Sequence, residues 1–457
     1  MWNVGQRPMR KLRCAVGERT HRIARWDKRS SVPMSLLRGQ DQVTAVLWRR
    51  HDLHRLSLSL RALTQIICCA AAVVLLSACG NQHLPALGDH TVVLWRGDTL
   101  DFVPGRDADT IPSPAGDYRL DAGRIRLRPV SLPPRQRRCD IALNVTLTSA
   151  GDPWDKSGTI FAFADGAGRD FLQRMQQGGD ADTATFEGIT TSGIREPATE
   201  LLRFITPFGV GHFSHTERAQ DYKPESVGAW ADSVHWSGDL SDMQSWLTDA
   251  DTLWVGVYID TWTDEGYVLS AQLTMKESSL ACDVPTNRQT LPLLNTTKLA
   301  HDQRPFTGFP TGPLKVPFHL DENAEYTSLR FLTTGHGGHA GGDEFTEQEH
   351  ILLLDGDTIK QWTPWRNDCG ALRRLNPTSG FWPSTYVVRG DTLEERVASS
   401  DLSRSGWCPG DQVDPMALNL GNLEAGDHTL EISIPGAQNW TDTTFNFWNV
   451  AATLHWQ

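Results

Sequence analysis

From residue 90 onward, apolar residues fall in short runs broken by turn-forming residues. In CDIALNVTLT (139–148) they take alternate positions, Cys139, Ile141, Leu143, Val145 and Leu147, the period of a strand. RIRLRPVSL, GTIFAFAD, LLRFITPF, LWVGVYIDTW and YVLSAQLTM complete a first set of β-type runs. LKVPFHL, TSLRFLTTG, HILLLDG, HTLEISI and FNFWNVAATLHW form a second. Between the sets lies DVPTNRQTLPLLNTTKLAHDQRPFTGFPTGP, a Pro- and polar-rich stretch with few regular features that marks a domain join. No long helix is expected; SDMQSWLTDA predicts one short helix that Ser241 can cap. The pattern predicts an all-β protein of two tandem antiparallel β-sandwiches, residues 90–288 and 289–457.

Composition fits this reading. The 457 residues include 39 Gly, 25 Pro and 17 Trp, with 39% hydrophobic and 21% charged residues, a globular and turn-rich chain. Most tryptophans are expected in the cores, and those beside polar loops point to sugar binding. Charge is divided unevenly: residues 1–78 hold 14 Lys/Arg and 4 Asp/Glu, leaving 29 basic and 51 acidic residues for the rest. So acidic a body repels phosphates, which argues against nucleic acid as a partner.

The basic leader ends in RALTQIICCAAAVVLLSACG, an Arg-flanked apolar run closed by small residues and a cysteine, the pattern of an export signal. The run Ile66–Ala78 is short for a membrane-spanning helix. LSAC (76–79) resembles the bacterial lipobox, in which Cys79 takes the lipid and becomes the first mature residue. Gly80 follows, where an aspartate would hold a lipoprotein at the inner membrane. The expectation is an exported outer-membrane or cell-surface lipoprotein of a bacterium, membrane-anchored at Cys79, with residues 1–78 as leader and 79–89 as tether. Met34 is an alternative start to Met1. Of the eight cysteines, Cys139, Cys282, Cys369 and Cys408 belong to the body. In an oxidising compartment they allow three pairings.

GHGGHAGGDEFTEQEH (335–350) raises two further readings. GGDEF names a family of cyclic-dinucleotide synthases, but those are cytoplasmic α/β domains using GTP and Mg²⁺, and five letters are weak evidence against an export signal. His336, His339 and His350 suggest a metal, since histidines three apart can share one. The glycine-rich spacing instead reads as a turn with polar or cleft-lining histidines.

Several blocks, in order, resemble the peptide-N-glycosidase F family, amidases that cut between an asparagine side chain and its N-linked glycan. They span about residues 139–410: DPWDKSGTIFAF, RFITPFGVG, VYIDTW, GGDEF, WRNDCG and SRSGWCPG. The resemblance implies two eight-stranded jelly rolls with the active site in the cleft between them. It makes Asp155 the principal catalytic acid and Glu344 the catalytic glutamate. It places Asp260 as a shorter replacement for a second glutamate and Arg404 in the cleft. Beside these, Trp154, Lys156, Trp262, Trp407 and His336 become candidates for binding the substrate sugars. The resemblance joins Cys369 to Cys408, which leaves Cys139 for Cys282. It implies a monomer acting on N-glycosylated peptides or proteins, with no cofactor and no metal.

The chemistry asks for such groups. Amide hydrolysis needs a base to activate water, an acid for the leaving nitrogen, and charge near the developing oxyanion. Two carboxylates brought together divide the first two tasks because their pKa values are pushed apart. Asp155 is expected on the reacting water or amide, Glu344 on water and core sugar, and Asp260 as an auxiliary acid. A guanidinium such as Arg404 holds a carbonyl oxygen or orients a carboxylate. The sequence also departs from the family: Asp343 and Phe345 flank Glu344 where the family prototype has cysteines, and an insert, TSGFWPSTYVVRGDTLEERVASSDLS, separates Pro377 from Arg404. Two alternatives stand beside the amidase: a non-catalytic glycan-binding lipoprotein, and a copper-dependent monooxygenase of the same tandem jelly-roll architecture.

Overall fold

The computed structural model describes residues 88–457 apart from 107–108, 111–115, 136–137, 178–187, 189–195, 278–287, 298, 300–305, 338–340, 382–383, 389, 396 and 442. The leader, Cys79, Cys282 and His339 lie outside the described residues.

The first set of apolar runs forms a sandwich of two antiparallel sheets. One orders His90–Leu100, Tyr267–Glu277, Cys139–Ser149 and Val234–Asp239. Its alternating positions face inward: Ile141, Leu143, Val145 and Leu147 pack with Val255, Val257 and Ile259 of the opposite sheet. That second sheet has seven strands, ordered Gln412–Val413, Thr199–Ile205, Ser157–Ala164, Leu253–Ile259, Ile125–Val130, Tyr118–Leu120 and Asp109–Thr110. Leu253–Ile259 is buried along its whole length. One face meets the sandwich core, and the other is covered by the helix Asp165–Gln176 through Phe161, Phe163, Phe171, Leu172 and Trp254. This twelve-residue helix is a correction to the expectation of no long helix. The expected short helix is present as a 3₁₀ turn, Ser241–Met243, running into Gln244–Asp249. Ser241 does not cap it: its hydroxyl accepts from Ile141 N at 3.0 Å and donates to Asp239 Oδ1 at 2.5 Å.

The second sandwich stacks Gln289–Asn295, Phe447–Trp456, Ala324–His336 and Met416–Leu423 on Leu314–Leu320, Gly426–Ser433, His350–Leu354 and Asp357–Trp362. Leu329, Phe331, Val450, Ala452 and Leu454 from one sheet meet Val316, Leu352, Leu430 and Ile432 from the other. The strand Gln289–Asn295 falls inside the stretch read as a join, so only part of that stretch is irregular.

The two sandwiches are stitched at a seam. Gln412–Val413, from the second half of the chain, pairs with Phe204 and Arg203 and closes the edge of the seven-stranded sheet. Arg203 and Glu200 form a buried ion pair at 2.6 Å. Arg203 also donates to Thr334 Oγ1 and Asn449 O, at 3.2 and 2.7 Å, and Arg330 donates back to Glu200 O and Leu201 O. Ile205, Leu332, Trp407, Val413 and Ala451 fill the space beside this network. The distinctive RFITPFGVG run is thus, at its first residue, a joint between the halves.

Candidate active site at the seam

Asp155 sits in the turn that enters the strand Ser157–Ala164, and the backbone on either side of it is pinned. The buried Asp152 carboxylate accepts from Trp154 N at 3.0 Å and from Thr261 Oγ1 at 2.7 Å. The Tyr267 hydroxyl donates to Trp154 O at 2.6 Å and accepts from Thr206 Oγ1 at 3.0 Å. Thr206 Oγ1 in turn accepts from Lys156 N, and Thr206 N donates to Lys156 O, both at 2.8 Å. Buried polar groups persist where each finds a partner. Here Thr206, Thr261 and Tyr267 lie at or just beyond the ends of three strands, Thr199–Ile205, Leu253–Ile259 and Tyr267–Glu277.

Glu344 lies in the single 3₁₀ turn Asp343–Phe345. Its neighbour Asp343 is the anchor. Buried, it accepts from Gln438 N, from Gln348 Nε2 at 3.2 Å and from Trp448 Nε1 at 3.1 Å. Burial nevertheless raises its pKa. Asp343 O accepts from Ser405 Oγ at 2.7 Å, and Glu344 O from Ser405 N at 3.0 Å. Gly337 turns the chain at φ 85°, where an added Cβ would strike the carbonyl of Phe445. The loop is thus held by a buried carboxylate.

Arg404, only 1% exposed, joins the two acids. Its Nε donates to Glu344 Oε1 at 3.0 Å, and its Nη2 lies 3.7 Å from Asp155 Oδ2. Phe345 and Trp407 cover the guanidinium at 5.0 and 4.8 Å from their ring centroids. Arg404 is paired through its backbone with Arg366, and the disulfide Cys369–Cys408 closes the segment that carries it. Burial raises the pKa of Asp155, an effect opposed by the charges of Arg404 and Lys156. Glu344 is pushed up to about 7, by burial first and then by the nearby Asp155 charge.

Asp260 directly follows the strand Leu253–Ile259, and its N–H donates to Ser157 O at 3.0 Å, two residues from Asp155. Its carboxylate, however, takes hydrogen bonds from Arg124 Nη1 at 3.2 Å and Tyr258 OH at 2.9 Å. Arg124 lies under the face of Trp262, 4.6 Å from its centroid. Trp262 and Trp154 are 57% and 43% exposed. Two expectations need correction. Trp407 is buried, donates from Nε1 to Gly335 O at 2.8 Å and forms the floor beneath Arg404. His336 is also buried, stacked between Trp407 and Phe447 with Nε2 2.8 Å from Thr334 Oγ1. Both support the site from below and are not placed to face a sugar. His350 is buried as well, bonded to Thr333 Oγ1 and Gln348 O. Burial lowers the two histidines to about 3 and about 4, so both are neutral. Cys139 is buried at the start of its strand; Cys282 lies outside the described residues, as does His339.

Asp152, Thr206 and Tyr267 are supporting residues that the sequence did not single out, and Asp343 stands out there only as a neighbour of Glu344. Asp152, Thr206 and Asp343 fall within the quoted blocks; Tyr267 had no signal beyond opening a β-type run.

Residues 90–275 match the family model of the N-terminal domain of peptide-N-glycosidase F, and residues 308–455 that of its C-terminal domain. The chain belongs to the peptide-N-glycosidase F family. Among solved structures, it resembles PNGF-II with 29% identity and a TM-score of 0.67, over 81% of this chain and 65% of PNGF-II. The chain therefore spans less than two thirds of the length of PNGF-II. PNGase F of Flavobacterium meningosepticum, described as a glycosylasparaginase, shares the peptide-N-glycosidase F fold at 15% identity. Its TM-score is 0.51, over 81% of this chain and 96% of that one. A peptide-N(4)-(N-acetyl-β-D-glucosaminyl)asparagine amidase gives 16% identity and the same TM-score and coverage. Comparison with curated proteins found no match.

Proposed function

We propose that this protein hydrolyses the amide linking an N-glycan to asparagine, releasing the sugar as a glycosylamine and leaving aspartate in the peptide. One observation carries the reading: in a member of this family, Asp155 from one sandwich and Glu344 from the other meet on one buried guanidinium. Burial raises both acids; the charges of Arg404 and Lys156 oppose this at Asp155, while the Asp155 charge adds to it at Glu344. Near neutral pH the pair therefore holds its proton on Glu344. The Asp155 carboxylate takes a proton from water as the water oxygen bonds to the amide carbon. Glu344 gives its proton to the nitrogen as the carbon–nitrogen bond breaks. Arg404, its donors turned to the two carboxylates, holds the acids in register. Trp154 and Trp262 offer indole faces to sugar rings, and Asp260 offers an acceptor for a hydroxyl.

The test is a glycopeptide incubated with the full chain and followed by mass spectrometry. A glycan-free peptide heavier by one mass unit than its asparagine form, produced in EDTA and reduced at least about a hundredfold by Asp155→Asn, supports the reading. Intact glycopeptide with measurable binding overturns it in favour of a glycan-binding protein.

A further inference from the structure

The insert that separates Pro377 from Arg404 is built into the catalytic apparatus at both ends. It runs out as a two-stranded hairpin, Ser384–Val388 with Asp391–Glu395, and returns. At its outgoing foot, Thr378 Oγ1 donates to Pro153 O at 2.5 Å, two residues before Asp155. At its returning foot, Ser399 O accepts from Arg404 Nη1 at 2.7 Å, Leu402 O accepts from the same nitrogen at 3.1 Å, and Ser399 Oγ accepts from Nη2 at 3.0 Å. The feet are tied together, because Ser400 N donates to Ser379 Oγ at 2.9 Å.

A guanidinium has five N–H groups. In Arg404, Nε serves Glu344, three bonds go to the returning foot, and the remaining Nη2 donor is the one turned toward Asp155. Phe345 and Trp407 stop the plane from tilting. Rotation within the plane is a separate freedom, and it decides how the charge is divided between the two acids.

We propose that Ser399 is a positioning residue whose hydroxyl, on the Nη2 side left open by the carbonyls that hold Nη1, trims the in-plane rotation of Arg404 and so sets its share between Glu344 and Asp155. Its effect on turnover rests on the amidase reading above; its effect on the two carboxyl groups does not. Without the hydroxyl, Nη2 closes on Asp155 and Nε draws away from Glu344. Asp155, which also faces Lys156 and Asp152, becomes the stronger acid. Glu344, which faces Asp155 and Arg404, becomes the weaker one.

The experiment compares the full chain with Ser399→Ala and Ser399→Thr, and adds Ser399→Cys, a weak acceptor of similar size, should the alanine variant fail to fold. Two readouts are taken: glycopeptide kinetics across pH, and the ¹³C carboxyl titrations of Asp155 and Glu344 in selectively labelled protein. Expected for Ser399→Ala are a kcat lowered on the order of tenfold, as for a lost hydrogen bond to a charged group, and a KM changed less than about twofold. The two limbs of the pH profile and the two titrations move apart, and Ser399→Thr restores both. A variant that melts earlier but leaves limbs and titrations in place overturns the proposal, since Ser399 is then merely structural. Titrations that separate in a protein with no amidase activity uphold the positioning role and reject the functional reading. Unmoved titrations in an inactive protein reject both.

Discussion

Glu344 ionises near pH 7 because burial and the nearby Asp155 charge outweigh the support of Arg404; burial raises Asp155 as well, against the charges of Arg404 and Lys156. The folded state therefore holds a proton on Glu344 that the unfolded chain gives up near pH 4.5. Stability from this site is complete below about 4.5 and is lost as pH rises through about 7. Activity that needs the protonated acid falls over the same upper range. Glu344→Gln should lower kcat at least about a hundredfold, abolish the alkaline limb of the residual activity, and raise the melting temperature at pH 8 relative to the parent more than at pH 5. A parallel loss at both pH values would show that Glu344 is not the titrating acid. At this scale the sequence was informative wherever a side chain sits inside a motif: Asp155, Glu344 and Arg404, each taken from a motif, lie together in the structure. It was less informative about facing. Trp407 and His336 lie next to the motif residues in sequence, yet local packing turns them inward. Tyr267 reaches Trp154 O from 113 residues away, a partnership that only the sheet register creates.

The elements show which local signals were outweighed. DGAGRDFLQRMQ carries two glycines near its start, which weaken a helix in isolation. It forms one because Phe171, Leu172 and Met175 cover the aromatic face of the sheet. Pro292 argues against a strand, and the strand exists because Gln289–Asn295 lies at a sheet edge, with a register irregularity beside the proline. The GGDEF loop was legible as a turn, but its support was not: Asp343 works through Gln438, Gln348 and Trp448, all distant in the chain or facing inward. Asp343→Ala orphans these donors. It should destabilise the protein by about 2–3 kcal/mol in denaturant titration and lower kcat by freeing the turn that carries Glu344. Asp343→Asn keeps part of the acceptor set and should fall between. Wild-type stability in the alanine variant would remove Asp343 as the anchor.

Across the whole molecule, the site exists because two sandwiches are held at one angle by a polar joint. Breaking a buried ion pair from one side costs about 3–5 kcal/mol, while replacing both partners by apolar residues is far milder. Arg203→Ala should therefore cost about 3–5 kcal/mol in equilibrium unfolding, and pairing Arg203→Met with Glu200→Leu should return much of it. Equal losses in the single and double variants would show that the bonds from Arg203 to Thr334 and Asn449, and not the ion pair, carry the joint. The tandem β-architecture was legible from the alternating runs, but this joint was not, because its partners come from both halves of the chain.

The strand Gln412–Val413 adds a consequence in time. Until residue 413 has left the ribosome, Thr199–Ile205 is an open sheet edge with unpaired backbone groups, the kind that invites pairing with another chain. The amino-terminal half cannot complete its own sheet as it emerges, and must wait through about two hundred further residues of synthesis, some 10–40 seconds at ordinary elongation rates. Any chaperone that escorts this chain has that interval to cover.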